Sequence, residues 1–571
     1  MAAILPNYNE GPLALGHLRE EARRLLIELL DSRRGKKVLV LDPKVSGFLG
    51  LLAEVSLLKE HGIEQLLHLS TEPLGDLGVR NVIYLVRASI ENAKQIAEQI
   101  KETNRVRAAA GFEYAVYFLP RRTIACERIF QEEGVYGDIV AGEFPLGFIP
   151  FDYDLLSLEL GTAYRELVAE GDRSSLYGVA RALTRLQALY GGAAMLKGKG
   201  PAAAAVRSLL LRMRQELGPE APITGGGPID EIILLDREVD AVTPMCTQLT
   251  YEGLVDETMQ IKYAVGPQLG QRAKSIQSDY KTSKAAERSL AELKEFASQL
   301  KALPNIQRHI GLAEAVNRAI AAPAFRARVS VEQSLLDGHG LDASAESIEE
   351  MMCNEEDLFV VLRLMCLLSL TQGGVPKKYY DALRKEVLHS YGHEYMLMLS
   401  KLQDAGLLVK HEGGKGNFTA LKRAFRLLVD DVDDKNPTDI AYVFSGYAPL
   451  SVRLVEAAVK GPGWGVGEEV LRLLPGPSFE VEQTSDDKGL PIEKPAQDRK
   501  LTGVSKKRRV VVVVFMGGIT FAEIAALRFL GSQPEVNCAF VIATTKLING
   551  TSLLESIVDD SIKTAKEVAV L

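Results

Sequence analysis

The sequence predicts an α/β protein on three observations. Short β-rich runs alternate with helical patterns near the N-terminus, strongly apolar runs suited to central strands lie near the C-terminus, and a strand-poor helical stretch separates them. From Lys36 to Leu119 the alternation runs KKVLVLD, FLGLLAEVSLLKEHG, QLLHL, NVIYLV, a polar helix near Ser89 to Thr103, and EYAVYFL. Such βαβ repeats wind a parallel sheet covered by helices. A second stretch, Asp138 to Glu257, holds IPFDYDLLSLEL, a helical region around SLYGVARALTRLQALYG, and the buried-strand pattern Ile229 to Leu235. Its continuation is expected in the distant VVVVVF and CAFVIATT, which are apolar enough for strands covered on both faces. A second, discontinuous α/β domain follows. Thr258 to Leu474 is mostly helical in pattern, an insertion domain, and Pro477 to Arg509 is polar, Pro- and Gly-rich and without periodicity, so it reads as a mobile loop.

At 571 residues the chain exceeds what one hydrophobic core usually supports, and 47% apolar with 25% charged residues is ordinary folded composition. The net charge of −8 disfavours coating a nucleic-acid backbone, which needs an excess of Lys and Arg. The dense basic run Lys506-Lys507-Arg508-Arg509 reads as solvated residues ahead of a buried strand. Cys126, Cys246, Cys353, Cys366 and Cys538 are scattered without a C-x-x-C pair, so neither a disulfide framework nor a zinc site is suggested, and a reducing cytosol fits. The N-terminus lacks a signal-peptide pattern, and no stretch reaches the apolar length of a membrane span.

Three motifs invite chemistry. VVVVVFMGGITFAEIAALRFL places a strand, Gly517-Gly518 and a helix in the order of phosphate-binding turns. It lacks G-x-G-x-x-G and G-x-x-x-x-G-K-[ST], and Thr520 with Glu523 forms a T-x-x-E capping box that claims the amides a phosphate would use. In IILLDREVDAVTPMCTQLTYEGLVDE, the carboxylates Asp236, Asp240, Asp256 and Glu257 suggest a metal or acid/base site. The spacing instead reads as Asp236 and Arg237 pairing at a strand-to-helix corner, with Thr243 as N-cap, Pro244 at the first helical position, and Asp256 and Glu257 farther along that helix. His389 and His393 are four apart but lack the H-E-x-x-H glutamate, and Gly392 interrupts the helix, so exposed or partner-facing histidines are expected. No enzyme active centre, metal or cofactor is expected.

Leu234 to Glu257 resembles the signature block of SM (Sec/Munc) proteins, including Asp236, Arg237, Asp240, Thr243, Pro244, Tyr251, Glu252, Asp256 and Glu257. Met516 to Leu530, with Gly517, Gly518, Thr520 and Glu523, resembles their C-terminal block. SLLKEHGIE, FLPRRTIACE, FIPFDYDLLSLE, SLYGVARALTRLQALYG, NPTDIAYVFSGYAPLSVRL and ATTKLINGTS extend the resemblance over nearly the whole chain to the class C vacuolar protein sorting branch of the Vps-thirty-three type, its A-like side. The resemblance implies a three-domain arch: residues 1–137 as the first α/β domain, 138–257 with 476–571 as the second, 258–331 as a SNARE-facing helical part, and 332–475 as a helical part binding a sister subunit. It also implies SNARE templating within HOPS- and CORVET-type tethering complexes at late endosomes, lysosomes or vacuoles. Membrane association would then be indirect, through the helical C-terminal half of the sister class C subunit.

By the same resemblance, the SNARE-contacting element is a helical hairpin from about Ala273 to Ala322 with its tip at LPNIQRHIG. Asn305, Gln307, Arg308 and His309 are its candidate contacts, solvated tip residues being the alternative. Between MQIKYAV and this hairpin the chain is shorter than the family pattern. Arg384, Leu388, Tyr391, His393 and Met396 are the candidate sister-subunit contacts, with internal core the alternative for Leu388 and Met396. Two other functions remain open: a nucleotide-dependent enzyme built on the Gly-Gly turn, and a helical adaptor without SNARE specificity.

Overall fold

In the computed structural model, which describes residues 6–106, 111–218, 227–260, 310–413, 416–433, 436–460, 464, 468–485, 491–495 and 508–557, the N-terminal apolar runs form five parallel strands. These are β1 (Lys37–Leu41), β2 (Ile63–His68), β3 (Asn81–Arg87), β4 (Glu113–Leu119) and β5 (Ile139–Glu143), in the order β2-β1-β3-β4-β5. Alternation along each strand separates two cores. Leu39, Leu41, Ile83 and Leu85 pack with Leu26 and Leu30 of helix Gly16–Asp31 and Phe48 and Leu49 of helix Pro43–Leu52. Val38, Val40, Tyr84 and Val116 pack on the other face with Ile96 and Ile100 of helix Ile90–Val106 and Phe130 of helix Ile124–Glu132. The antiparallel pair β6 (Ile149–Pro150) and β7 (Leu155–Ser157) completes the first of two compact units, residues 1–158 with 178–191.

In this sheet the strand order reverses between β1 and β3, the place where open α/β sheets commonly receive ligands. Here the crevice is held by an ion pair. Asp42, at the end of β1, accepts Arg87 Nε at 2.6 Å and Asn92 Nδ2 at 3.0 Å, and caps helix Pro43–Leu52 through the Lys44 amide at 2.9 Å.

The second unit comprises residues 159–177 and 192–571. Its strands are β8 (Met195–Lys199), β9 (Ile229–Asp236), β10 (Ser478–Ser485), β11 (Pro491–Pro495), β12 (Arg509–Met516) and β13 (Cys538–Thr544), in the order β11-β10-β8-β9-β12-β13. Strands β8, β9, β12 and β13 are parallel. Val512 sits between Ile232 of β9 and Val541 of β13, so the C-terminal valine run is a central strand. Helix Pro201–Leu217 follows β8 and helix Phe521–Ser532 follows β12.

The first part of Pro477–Arg509 is not a loop: β10 pairs antiparallel with β8, and β11 with β10. Phe479, Val481 and Gln483 alternate along β10. The Phe479 ring lies over Gly198 of β8, where an added Cβ would sit 2.3 Å from Phe479 Cζ, and Arg207 stacks on that ring at 4.9 Å. Arg207 also pairs with the buried Glu493 carboxylate of β11 at 2.7 Å.

Between β9 and β10 the described chain is chiefly helical: Pro323–Asp337, Leu341–Cys353, Leu358–Gln372, Lys377–Tyr391, Met396–Asp404, Phe418–Ala424 and Leu450–Val459. Leu358–Gln372 is buried almost all round, as its LFVVLRLMCLLSL run requires. None of the described helices is long and apolar enough to cross a membrane.

Candidate binding surfaces and a buried polar junction

The signature residues come together as a buried polar junction inside the second unit. Strand β9 ends at Asp236, whose carboxylate accepts the Ala202 amide at 2.8 Å and the Glu238 amide at 3.2 Å. Burial raises its pKa above the usual carboxylate value. Arg237 does not pair with Asp236 as the corner reading expected. Its guanidinium donates to both Glu523 oxygens at 2.9 Å and to the Asp240 carbonyl at 2.6 and 3.0 Å. Burial acts against its charge, but Glu523 and Asp240 outweigh it and hold Arg237 protonated. Asp240 accepts the Thr243 hydroxyl at 2.6 Å, the Thr243 amide at 3.0 Å and the Ser451 amide at 2.9 Å.

The helix boundary in this block also differs from expectation. Thr243 and Pro244 lie within the short helix Val242–Met245, and the Thr243 hydroxyl is engaged by Asp240. The helix carrying Tyr251, Glu252, Asp256 and Glu257 is a separate one, Tyr251–Met259, capped by Thr250 through the Gly253 amide. Glu252 pairs with Arg528 at 3.3 Å, and Asp256 accepts Asn549 Nδ2 at 3.0 Å.

The Gly-Gly turn is closed by protein groups. Thr520 and Glu523 form the expected capping box, the Ala522 amide donates to Gln248 Oε1 at 3.0 Å, and the Gly517 amide donates to Thr545 Oγ1 at 3.0 Å. Gly517 has φ +97°, and a Cβ there would lie 2.7 Å from Arg237 Cβ. The helix end that would meet a phosphate is thus occupied by Gln248 and Thr520, with Arg237 packed against the turn. Among the described residues no group of three His, Cys, Asp or Glu side chains is arranged to hold a metal ion.

Beside this junction, the backbone of Met245–Gln248 is gripped by the charged side chains of Arg363, Glu332 and Glu257, the last accepting the Gln248 amide at 3.4 Å. Arg363 donates to the Met245 and Cys246 carbonyls at 3.3 and 3.0 Å and to both Glu257 oxygens at 2.7 and 3.2 Å. Glu332 accepts the Thr247 amide at 2.8 Å and its hydroxyl at 2.6 Å. Burial raises the Glu332 pKa despite Arg363 and Arg328 nearby. Sequence reasoning missed Gln248, Glu332, Arg363, Ser451 and Asn549. Arg363 carried a signal, being the only charge in LFVVLRLMCLLSL, where a buried charge demands a buried partner.

Asn305, Gln307, Arg308 and His309 lie outside the described residues. The other candidate surface is described. Arg384, Leu388 and Tyr391 lie on helix Lys377–Tyr391, and His393 and Met396 follow Gly392, whose φ is +119°. Arg384 donates to Tyr380 Oη at 2.8 Å and Gln403 Oε1 at 3.0 Å, and Tyr391 Oη donates to the Glu356 carbonyl at 2.6 Å. Leu388 is half-buried. His389 and His393 are exposed. Met396 is 56% exposed and its neighbour Leu397 51%, so the internal-core alternative fails for Met396.

The sequence matches the Sec1 family over residues 37–265 and 263–556. It is 39% identical over 601 residues to the vacuolar protein-sorting-associated protein 33 homolog of Arabidopsis thaliana, covering 98% of this chain and 99% of that one. It is 38% identical over 609 residues to vacuolar protein sorting-associated protein 33A of Rattus norvegicus, covering 96% and 98%. The fold is shared with the SM protein Vps45 in its complex with the Qa SNARE Tlg2, at TM-score 0.52 and 15% identity over 96% of this chain and 98% of that one. It is likewise shared with the Unc18–syntaxin 1 complex from Monosiga brevicollis, at TM-score 0.51 and 14% identity over 94% and 98%. The chain belongs to the Sec1 family, the family of the SM proteins. Within it, the chain is of the vacuolar protein-sorting-associated 33 type.

Proposed function

We propose that this chain is a non-catalytic scaffold that binds SNARE motifs and holds them side by side, in register, before they zipper. It would act as a subunit of HOPS- and CORVET-type tethering complexes at late endosomes, lysosomes or vacuoles. The observation that carries the reading is the near full-length likeness to vacuolar sorting proteins of the 33 type, joined to a fold found in SM proteins solved with SNAREs. Templating lowers the ordering entropy that disordered SNARE segments lose on assembly. SNARE contact is assigned to Asn305, Gln307, Arg308 and His309. Docking of the sister subunit's helical half is assigned to Arg384, Leu388, Tyr391, His393 and Met396, with membrane recruitment through that subunit. The closed Gly-Gly turn favours binding over nucleotide chemistry.

The test is a pull-down of purified endolysosomal SNARE motifs and of the sister subunit's helical half by wild type, Arg308→Glu and Met396→Asp. Loss of SNARE binding only in the first variant and of subunit binding only in the second supports both assignments. A wild type that captures the subunit but no SNARE motif makes the chain a general helical adaptor. Binding of neither partner, with a nucleotide raising the melting temperature, would return the enzyme reading.

A further inference from the structure

At the carboxyl edge of the first sheet two helices begin side by side, Ile90–Val106 after β3 and Ile124–Glu132 after β4. Cys126 Sγ lies 3.5 Å from the Ser89 carbonyl near their starts, and Lys101 meets Glu133 at 2.5 Å farther along. Their first turns therefore share one face. Each helix opens on an isoleucine turned to solvent: Ile90 is 52% exposed and Ile124 81%, the highest value for a large apolar side chain among the described residues. The fold does not use them, since the inner faces of both helices pack through Ala93, Ile96, Ile100, Cys126 and Phe130.

A single exposed aliphatic is ordinary. Here two stand at adjoining helix starts, and each has an exposed cation four residues on, along the same face: Lys94 and Arg128. Arg121 is exposed just before the second helix. Arg122 is tied to Glu127 and Arg87 to Asp42, both at 2.6 Å, and Glu143 accepts the Arg122 amide. No ion pair within the described residues engages Lys94, Arg121 or Arg128, and Glu91 is the exposed acid beside them. The helix starts add the positive ends of their dipoles. Two projecting aliphatics ringed by cations suit an anionic bilayer, which takes them among its acyl chains without a matching groove while Lys and Arg reach its phosphates.

We propose that this edge is a weak membrane-contact surface, in which Ile90 and Ile124 insert into an anionic bilayer and Lys94, Arg121 and Arg128 meet its lipid phosphates. The contact is independent of SNARE binding.

The full chain is sedimented with phosphatidylcholine vesicles made with and without phosphatidylserine. Wild type is expected to bind only those with phosphatidylserine. Ile90→Ser combined with Ile124→Ser should lower that partition about tenfold, and Arg121→Ser about fivefold, with melting temperatures unchanged. If the double variant melts lower, Ile124→Ser alone decides. Met396→Asp should bind vesicles as wild type does. In Ile124→Trp, brominated acyl chains should quench the new indole, Trp464, the chain's own tryptophan, being buried. Failure of wild type to bind phosphatidylserine vesicles overturns the proposal. So does full binding by the isoleucine variants, which would make the adsorption purely electrostatic. Isoleucine variants that lose a SNARE motif bound by a wild type with no affinity for vesicles would make this edge a protein-docking surface and overturn it too.

Discussion

Arg237 and Glu523, 286 residues apart, form a two-pronged ion pair at 2.9 Å inside the second unit, with both side chains at most 1% exposed. This pair ties the end of β9 to the helix after β12, uniting the two most recognisable blocks of the sequence. Breaking a buried pair strands the remaining charge at a cost of about 3–5 kcal/mol, whereas removing both charges can be nearly neutral. Glu523→Leu is therefore expected to lower the thermal midpoint sharply. Arg237→Met combined with Glu523→Leu should lower it less than the two single losses added together, as read by calorimetry of all three variants.

The Asp42–Arg87 pair gives the first unit an acid-side signature. Burial alone would raise the Asp42 pKa, but Arg87, with the Lys44 amide and Asn92, holds it below its ordinary 3.8. A carboxyl depressed in the folded state adds stability above its unfolded pKa, and that stability is lost as pH falls through the folded value. Asp42→Asn is thus expected to be destabilised relative to wild type near pH 7, with the gap closing as pH falls below about 4. Urea midpoints of both proteins at several pH values check this, and a gap constant down to pH 2 would refute it.

Met396 and Leu397 are more than half exposed, so polar replacement should leave stability within about 0.5 kcal/mol of wild type. Leu397→Asp, at a position that sequence reasoning did not select, is expected to reduce sister-subunit capture as Met396→Asp does, with an unchanged melting temperature. Full capture by both variants would move the docking surface elsewhere.

Phe479 covers Gly198 and carries Arg207, so Phe479→Ala is expected to loosen the β10–β11 hairpin from the edge of β8. Hydrogen exchange should show faster exchange across Ser478–Ser485, while β12, central in the sheet, keeps its protection. Equal protection of β10 in both proteins would show that backbone pairing alone holds it.

What the sequence made legible was whatever depended on local pattern. The valine run of β12, the alternation of the first sheet and the Thr520–Glu523 capping box all stand in the structure as read. Partnerships across long separations were not legible. Arg237 was given its sequence neighbour Asp236, because nothing in a linear reading indicates that Glu523 arrives from the far end of the chain. Thr243-Pro244 has the form of a helix start, but the Asp240 carboxylate claims the Thr243 hydroxyl and leaves the capping to Thr250. The β10–β11 hairpin was hidden because its three alternating positions sit among proline, glycine and charge, and its partner strand lies nearly 300 residues earlier. The SNARE-facing candidates at 305–309 lie outside the described residues, and that part of the site rests on sequence alone.

The central place of β12 has a consequence for biosynthesis. Strand β9 emerges from the ribosome long before the strand that pairs with its far edge, since the chain from Asp236 to Arg509 must be made first. At roughly 5–20 residues per second that interval is of the order of half a minute. Throughout it, an apolar strand edge of the nascent chain stays open to wrong partners. A message truncated between codons 236 and 509 would release a polypeptide in which that edge can never be closed by β12, so nonsense alleles in that interval should behave as insoluble nulls and not as partially active fragments.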